Sequence, residues 1–242
     1  MNFNRILLIL LFLFITPGIV SIAGAQSIEF GIKGGLNTSS HLNSFRYADG
    51  DIDLDLKPKV TTAYQAGLIL RKDFSRVFRL QIEPSLIMLG AKYEEAFMLR
   101  GFEFQTESKT ELLYIQMPLV FQLSTNPTSK SVRVHGREKA TTTYHLTGGV
   151  YGGYLLDARF SGTNTGAPIG VSFEGDFSND VKSQYSEYDG GAILGVGFEY
   201  GSRQKIGFET RALYGVLDSG NAPGLSFEPH NVAVTFSVYL LF

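Results

Sequence analysis

The sequence predicts an all-β protein, an eight-stranded antiparallel transmembrane β-barrel with a filled polar lumen, on three observations. The first is Asn231–Phe242, NVAVTFSVYLLF, where Val232, Val234, Phe236, Val238, Leu240 and Phe242 take every second position and Asn231, Ala233, Thr235 and Ser237 fall between them. A period of two gives a strand one wholly apolar face, and about eleven residues is the length a tilted strand needs to cross a bilayer. The second observation is that seven upstream segments repeat this alternation. The third is that the connectors between them are alternately short and long, the asymmetry of barrels with tight periplasmic turns and long extracellular loops.

Before the first segment, Arg5, the apolar run Ile6–Ile15 and Ala23-Gly24-Ala25 follow the pattern of a secretory signal peptide, residues 1–25, cut before Gln26. The run is too short to span a bilayer, which takes roughly 20 apolar residues. Residues 26–242 are then the barrel domain of an exported protein, expected in the outer membrane of a Gram-negative cell. With no cysteine there is neither a lipidated amino-terminal Cys nor a disulfide. Without Arg5 the formal net charge falls from −2 to −3, and no basic patch points to nucleic acid. The 19 Phe, 12 Tyr and 27 Gly favour strands and turns over helices.

The segments follow in order. Ile28–Asn37 sets Ile28, Phe30, Ile32 and Leu36 against Glu29, Lys33 and Asn37; Thr61–Arg71 sets Tyr64, Ala66, Leu68 and Leu70 against Gln65 and Arg71. Phe78–Ala91 opposes Phe78, Leu80, Ile82, Leu86 and Met88 to Arg79, Gln81, Glu83 and Ser85. Glu111–Leu123 alternates Leu113, Ile115, Met117, Leu119, Phe121 and Leu123 with Tyr114, Gln116 and Gln122. Thr143–Leu156 is Gly-rich and alternates less cleanly. Tyr188–Tyr200 and Lys205–Val216 place Gly191, Gly195, Gly197, Glu199, Gly207, Glu209, Arg211 and Gly215 on their polar faces, and Asn231–Phe242 closes the set.

Connectors 72–77 and 201–204 are short, and 38–60, 92–110, 157–187 and 217–230 are long. Ser124–Thr142 breaks the rule, being a basic stretch where a tight turn is expected, and is read as a small hairpin or a docking point. A soluble lipocalin-like barrel would bury the apolar faces instead. The polar faces, poor in charge and rich in Gly, Ser, Thr and Ala, suit a crowded lumen better than a soluble surface.

Lipid then forces closure, since an open sheet edge at membrane depth would leave peptide groups unpaired, so the first strand pairs with the last. Eight strands leave an interior only wide enough for side chains. Glu29, Lys33, Arg71, Arg79, Glu83, Glu199, Glu209 and Arg211 all face it. These four acids and four bases are expected to pair into a network that plugs the barrel, with no open pore, the functional alternative being a proton or ion path.

FGIKGGLN at Phe30–Asn37, QIEPSLIMLGAKY at Gln81–Tyr93, LLYIQMPLVFQL at Leu112–Leu123 and the terminal strand resemble the PorT-like outer-membrane β-barrel family of Bacteroidetes. The similarity covers most of the mature chain in the expected order. It implies an outer-membrane location and an eight-stranded barrel. The family's namesake takes part in protein secretion, but the shared motifs look like barrel-building residues and do not transfer that activity.

Chemistry is sparse. Asp49, Asp51, Asp53 and Asp55 alternate as hard-oxygen ligands for Ca²⁺ would, yet Ile52, Leu54 and Leu56 between them read equally as a strand with a solvated acidic edge, and the Gly and distal Glu of an EF-hand loop are missing. Glu174, Asp176, Asp180 and Glu187 read as surface residues of a flexible loop with Ser161, Gly162, Asn164, Gly166 and Pro168. His41 and His230, with Ser39, Ser40, Ser226 and Glu228, permit a hydrolase-like site at the extracellular rim without any motif for one; His135 and His145 lie elsewhere.

No catalytic, cofactor or metal residue is therefore assigned. The expected role is structural, interactive or accessory to secretion and non-enzymatic, the alternative being a lipid A-modifying enzyme with its site at the rim. Expected partners are outer-membrane lipid, the outer-membrane assembly machinery through the carboxy-terminal strand, and a protein at the long loops, with no nucleic acid.

Overall fold

The structure, a computed structural model, describes residues 28–242 except 44, 50–51, 76, 100–101, 126–132, 135–136, 139, 168–171 and 221–228; for 45–49, 52–56, 97–99, 102–103, 133–134 and 137–138 it describes the backbone alone. The expected signal peptide, residues 1–25, lies outside the described residues. The strands are β1 (Ile28–His41), β2 (Phe45–Asp49), β3 (Ile52–Leu56), β4 (Thr61–Asp73), β5 (Phe78–Ile82), β6 (Ser85–Leu99) and β7 (Phe102–Ser124). They continue with β8 (Arg133–Val134), β9 (Arg137–Glu138), β10 (Thr141–Gly166), β11 (Phe173–Asp180), β12 (Tyr188–Gly201), β13 (Lys205–Gly215) and β14 (Asn231–Leu241).

Pairing closes on itself, as hydrocarbon demands. One circuit shows the geometry: Phe30 pairs with Leu70, Leu70 with Ile82, Ile82 with Leu119, Leu119 with Val150, Val150 with Ala192, Ala192 with Tyr214, Tyr214 with Val232, and Val232 with Ser40. Eight steps return to β1 ten residues above the start. That stagger is what tilts barrel strands by roughly 40°. The seam between first and last strands runs from Gly31↔Leu241 to His41↔Asn231, as the terminal pattern predicts.

The sheet nevertheless contains ten strands, not eight. Pro84 accounts for one of the extra two. β5 and β6 meet β4 and β7 in a single continuous register, interrupted only where Glu83-Pro84 faces Pro118 and neither proline has an N–H to give. They fill one position in the ring. The other is β11, which pairs with the outer part of β10.

The expected loops 92–110 and 157–187 are largely strand. β6 and β7 continue as a hairpin to Leu99↔Phe102, and β10 runs to Gly166 with β11 returning along it. The turn-forming residues of 157–187 do not prevent this, because main-chain pairing, the Thr163–Asp176 hydrogen bond of 2.7 Å and the Phe160–Phe177 ring contact at 5.4 Å hold the arm. β2 and β3 form a separate hairpin across Asp49↔Ile52, and β8 and β9 form the small hairpin expected within Ser124–Thr142. The Ca²⁺ question falls on Asp49, Asp53 and Asp55, whose side chains are outside the described residues, as is Asp51 altogether.

The faces are settled by burial. Val238 is 45% exposed and its neighbour Ser237 4%, and the same alternation runs through β7, where Met117, Leu119, Phe121 and Leu123 point out and Gln116, Val120 and Gln122 point in. Apolar side chains line the outside, so the soluble alternative fails. Charged outward residues begin at Glu111 and Asp157, where a bulge between Leu155 and Asp157 also shifts the register, and this marks the outer limit of the apolar band.

One stretch of wall lacks a ladder. Above Gln65↔Ile87, β4 and β6 part, and the next bridge to β6, Lys59↔Lys92 from the segment before β4, is displaced by one residue. Lumen side chains of β1 fill in: Asn37 Nδ2 donates to the Tyr64 carbonyl at 3.3 Å, and Ser39 Oγ both donates to the Gly90 carbonyl and accepts from its N–H at 3.0 Å. Gly90 has φ of 153°, and a Cβ there would lie 1.8 Å from the Thr110 carbonyl oxygen, so only glycine fits.

Two outcomes test this account. Val238→Arg should destabilise the assembled barrel by about 2–4 kcal/mol, whereas Ser237→Thr should be tolerated; equal losses in a denaturant titration from lipid vesicles would contradict this assignment of the faces. Ser39→Ala, which orphans the Gly90 amide, should cost about 1–3 kcal/mol in the same titration, and no change would show that the seam needs no such filler.

Candidate functional site

Two layers fill the interior. In the lower one, toward the short turns, the eight charged side chains expected from the sequence meet in two clusters. Glu83 and Glu209 share Lys33, whose Nζ lies 3.0 Å and 3.5 Å from them, and both accept from Arg211, at 2.8 Å from Glu83 and 2.7 Å from Glu209. Glu199 accepts from Arg79 at 3.1 Å and from Arg71, which also donates through Nε to Glu29 at 2.9 Å. Lys205 Nζ reaches Glu29 at 2.6 Å and Arg79 Nε approaches Asp73 at 3.6 Å.

Neutral donors complete the acceptors' shells: Thr147 Oγ1 donates to Glu209 at 2.6 Å, Gln81 donates to Glu83, and Tyr239 Oη donates to Glu199 at 2.9 Å. His145 sits in the same layer with Nε2 3.7 Å from Glu209. Such a lattice is tolerable without water because each buried charge meets opposite charge and hydrogen bonds together.

Glycines make room for these large groups. Gly207 pairs with Tyr239 across β13 and β14, and a Cβ on Gly207 would lie 2.1 Å from the tyrosine ring. The ring therefore lies over Gly207, which lets its hydroxyl reach Glu199. Gly195 gives the same clearance to Arg211, and Gly197 to His145. These are the polar-face glycines singled out in the sequence.

The upper layer is apolar, which corrects the expectation of a lumen filled throughout by polar side chains. Ile87, Leu89, Leu112, Tyr114, Leu155, Ile193 and Leu213 form one buried cluster, closed at the top by Val181 and Tyr185 from the segment after β11. Burial pushes the Tyr185 hydroxyl up to about 12. A polar knot pins the rim beside it, with Asn231 Nδ2 donating to Asp189 at 3.2 Å and to Ser219 Oγ at 2.9 Å. Ile87, Leu89 and Leu112 are the residues that alternate with outward ones, so the parity of the pattern could have revealed them. The small cavity beside the lattice, bounded by Lys33, Glu83, Gln116 and Arg211, has about 20 Å³, space for one water.

At the rim His41 is buried, with Nδ1 2.8 Å from Tyr93 Oη and its ring 6.3 Å from that of Tyr185. Ser39 is committed to Gly90, and Ser40 Oγ donates to the His41 carbonyl at 3.4 Å. His230 Nδ1 meets the Leu217 carbonyl at 3.2 Å. Ser226, Glu228 and His135 lie outside the described residues. The described contacts at the rim are those of packing, and among the described residues no group of three His, Asp or Glu is disposed to hold a metal. Lys205, Asp73, Thr147 and Tyr239 are lattice members the sequence reading missed.

Glu199→Gln should destabilise the barrel by about 3–5 kcal/mol, because Arg71 and Arg79 would both lose their shared counter-charge. Glu94→Gln, which breaks the exposed pair with Lys59, should cost under about 1 kcal/mol. Similar effects of the two in unfolding titrations would contradict a lattice that holds the lumen together.

Residues 24–220 match the family described as outer membrane protein beta-barrel domain. No curated protein matches the sequence. Among solved structures, the outer membrane protein OprG from Pseudomonas aeruginosa is similar over 91% of this chain and 98% of its own, at 16% identity and a TM-score of 0.42. Ail, the attachment invasion locus protein of Yersinia pestis, is similar over 89% and 99%, at 12% and 0.32, and Neisserial surface protein A over 88% and 97%, at 7% and 0.36. These scores are low, and the assignment stands on the family match and on the closed ring of strands. The chain belongs to the outer membrane protein beta-barrel domain family.

Proposed function

We propose that this protein is a closed, non-conducting and non-enzymatic outer-membrane barrel that presents its extracellular strands to a protein partner. The observation that carries the reading is the double filling of the lumen, a charge lattice below and an apolar plug above, with a cavity of about 20 Å³ beside the lattice. Chain length invested outside the bilayer supports the second half: β6, β7, β10 and β11 rise together beyond Glu111 and Asp157. Lipid contact along the apolar band and delivery by the assembly machinery through β14 belong to the same reading.

The resemblance of Phe30–Asn37, Gln81–Tyr93 and Leu112–Leu123 supports placing the chain with the PorT-like branch, a finer assignment than the family. Those motifs hold Lys33, Glu83, Pro84, Gly90 and Gln116, which build wall and lumen, so a secretion role does not travel with them.

Purified protein in planar bilayers should give no steady conductance, and lipid A from cells with and without the protein should have the same mass profile. A persistent open channel would overturn the closed barrel. A change in lipid A that requires His41 or His230 would restore the enzyme alternative.

A further inference from the structure

The extracellular sheet has two edges, and they are treated differently. The β6 edge is bridged at Lys92: Lys59 N–H donates to the Lys92 carbonyl at 2.7 Å, Lys92 N–H donates back at 3.0 Å, and beside it Lys57 N–H donates to the Glu95 side chain at 3.4 Å. β11 pairs with β10 on one side, and among the described residues no strand pairs with the other. Edges of this kind are templates for another chain.

The phase of the ladder identifies which groups are free. Val181 N–H donates to the Ala158 carbonyl at 3.0 Å, one step beyond Asp180↔Arg159 in the same register. Hydrogen-bonded and non-bonded pairs alternate in an antiparallel ladder. The main chains of Asn179, Phe177, Gly175 and Phe173 therefore bond to β10, and those of Asp180, Ser178, Asp176 and Glu174 point to the open edge. The same four residues carry their side chains on one face, three of them acidic and all exposed. Phe173 and Phe177 lie on the opposite face. Arg159, across from Asp180, is already 3.8 Å from Asp157.

We infer that the β11 edge is a docking site for an extended polypeptide that adds as a further strand and carries Lys or Arg at alternate positions. The incoming main chain would pair with Glu174, Asp176, Ser178 and Asp180, its basic side chains would lie beside the three acids, and its apolar ones beside Phe173 and Phe177. A second copy of β11 is a poor occupant, since self-pairing would set Glu174 opposite Asp180 or Asp176 opposite itself. The acids thus repel the protein's own edge and select a basic partner. This rests on the reading of the arm as a partner-presenting surface, and it adds the chemistry of the partner.

The test uses the full barrel in lipid nanodiscs and a fluorescent octapeptide of alternating Lys and Val. Saturable binding is expected, with an alternating Glu–Val peptide at least tenfold weaker. Ser178→Pro removes one edge-facing N–H, no bond to β10 and no charge, and should weaken binding at least tenfold, as should Glu174→Lys with Asp176→Lys. Should Ser178→Pro fail to fold, as judged by its thermal melt, N-methylation of alternate peptide amides tests the same bonds from the other side. Affinity within twofold of wild type for Ser178→Pro or for the N-methylated peptide would overturn strand addition, leaving charge attraction alone. Absence of saturable binding would overturn it as well. Conductance does not depend on the arm, so a failure here and a failure of the closed-barrel reading are seen in separate measurements.

Discussion

Hydrocarbon offers no hydrogen bond to a peptide group, and the rest of this structure follows from that constraint. A strand at membrane depth needs neighbours on both sides, so β14 must return to β1, and the circuit must close with whatever stagger the side chains allow. Where the wall cannot supply its own bonds, the lumen does. Beside Gly90, a serine and an asparagine from β1 take over from the missing ladder. At Pro84 and Pro118 the absence of two N–H groups interrupts bridging without disturbing register, because the same lattice of pairs resumes on either side.

The narrow interior imposes a second requirement. Eight positions enclose too little space for bulk water, so every inward charge must find protein partners. Acids and bases alternate in space as a result, and small residues appear opposite large ones: Gly207 under Tyr239, Gly195 beside Arg211, Gly197 beside His145. The QIEPSLIMLGAKY stretch is intelligible in these terms. Gln81 and Glu83 enter the lattice, Pro84 interrupts the ladder, Ile87 and Leu89 enter the plug, and Gly90 admits the close approach of Thr110. Its residues are those of a wall and its filling.

Outside the bilayer the constraint relaxes. Water can satisfy a free edge, so β11 runs along the outer part of β10 with, among the described residues, no strand on its other side. Among the described residues the ring below has no such free edge.

The strands, their faces and the closure of the first on the last were legible in the sequence, because alternation of two is a local pattern and lipid admits only one use of it. So was the charge set of the lumen, since inward parity at Glu29, Lys33, Arg71, Arg79, Glu83, Glu199, Glu209 and Arg211 requires partners of opposite sign. Which acid meets which base, the contribution of Lys205, Asp73 and Tyr239, the apolar plug over the lattice, the parting of β4 from β6 and the return of β11 along β10 were decided only by tertiary structure. The lumen contacts depend on the ten-residue stagger of the closed ring, which sets residues far apart in sequence at the same height, and no local pattern records that height; the two backbone features depend on long-range strand pairing.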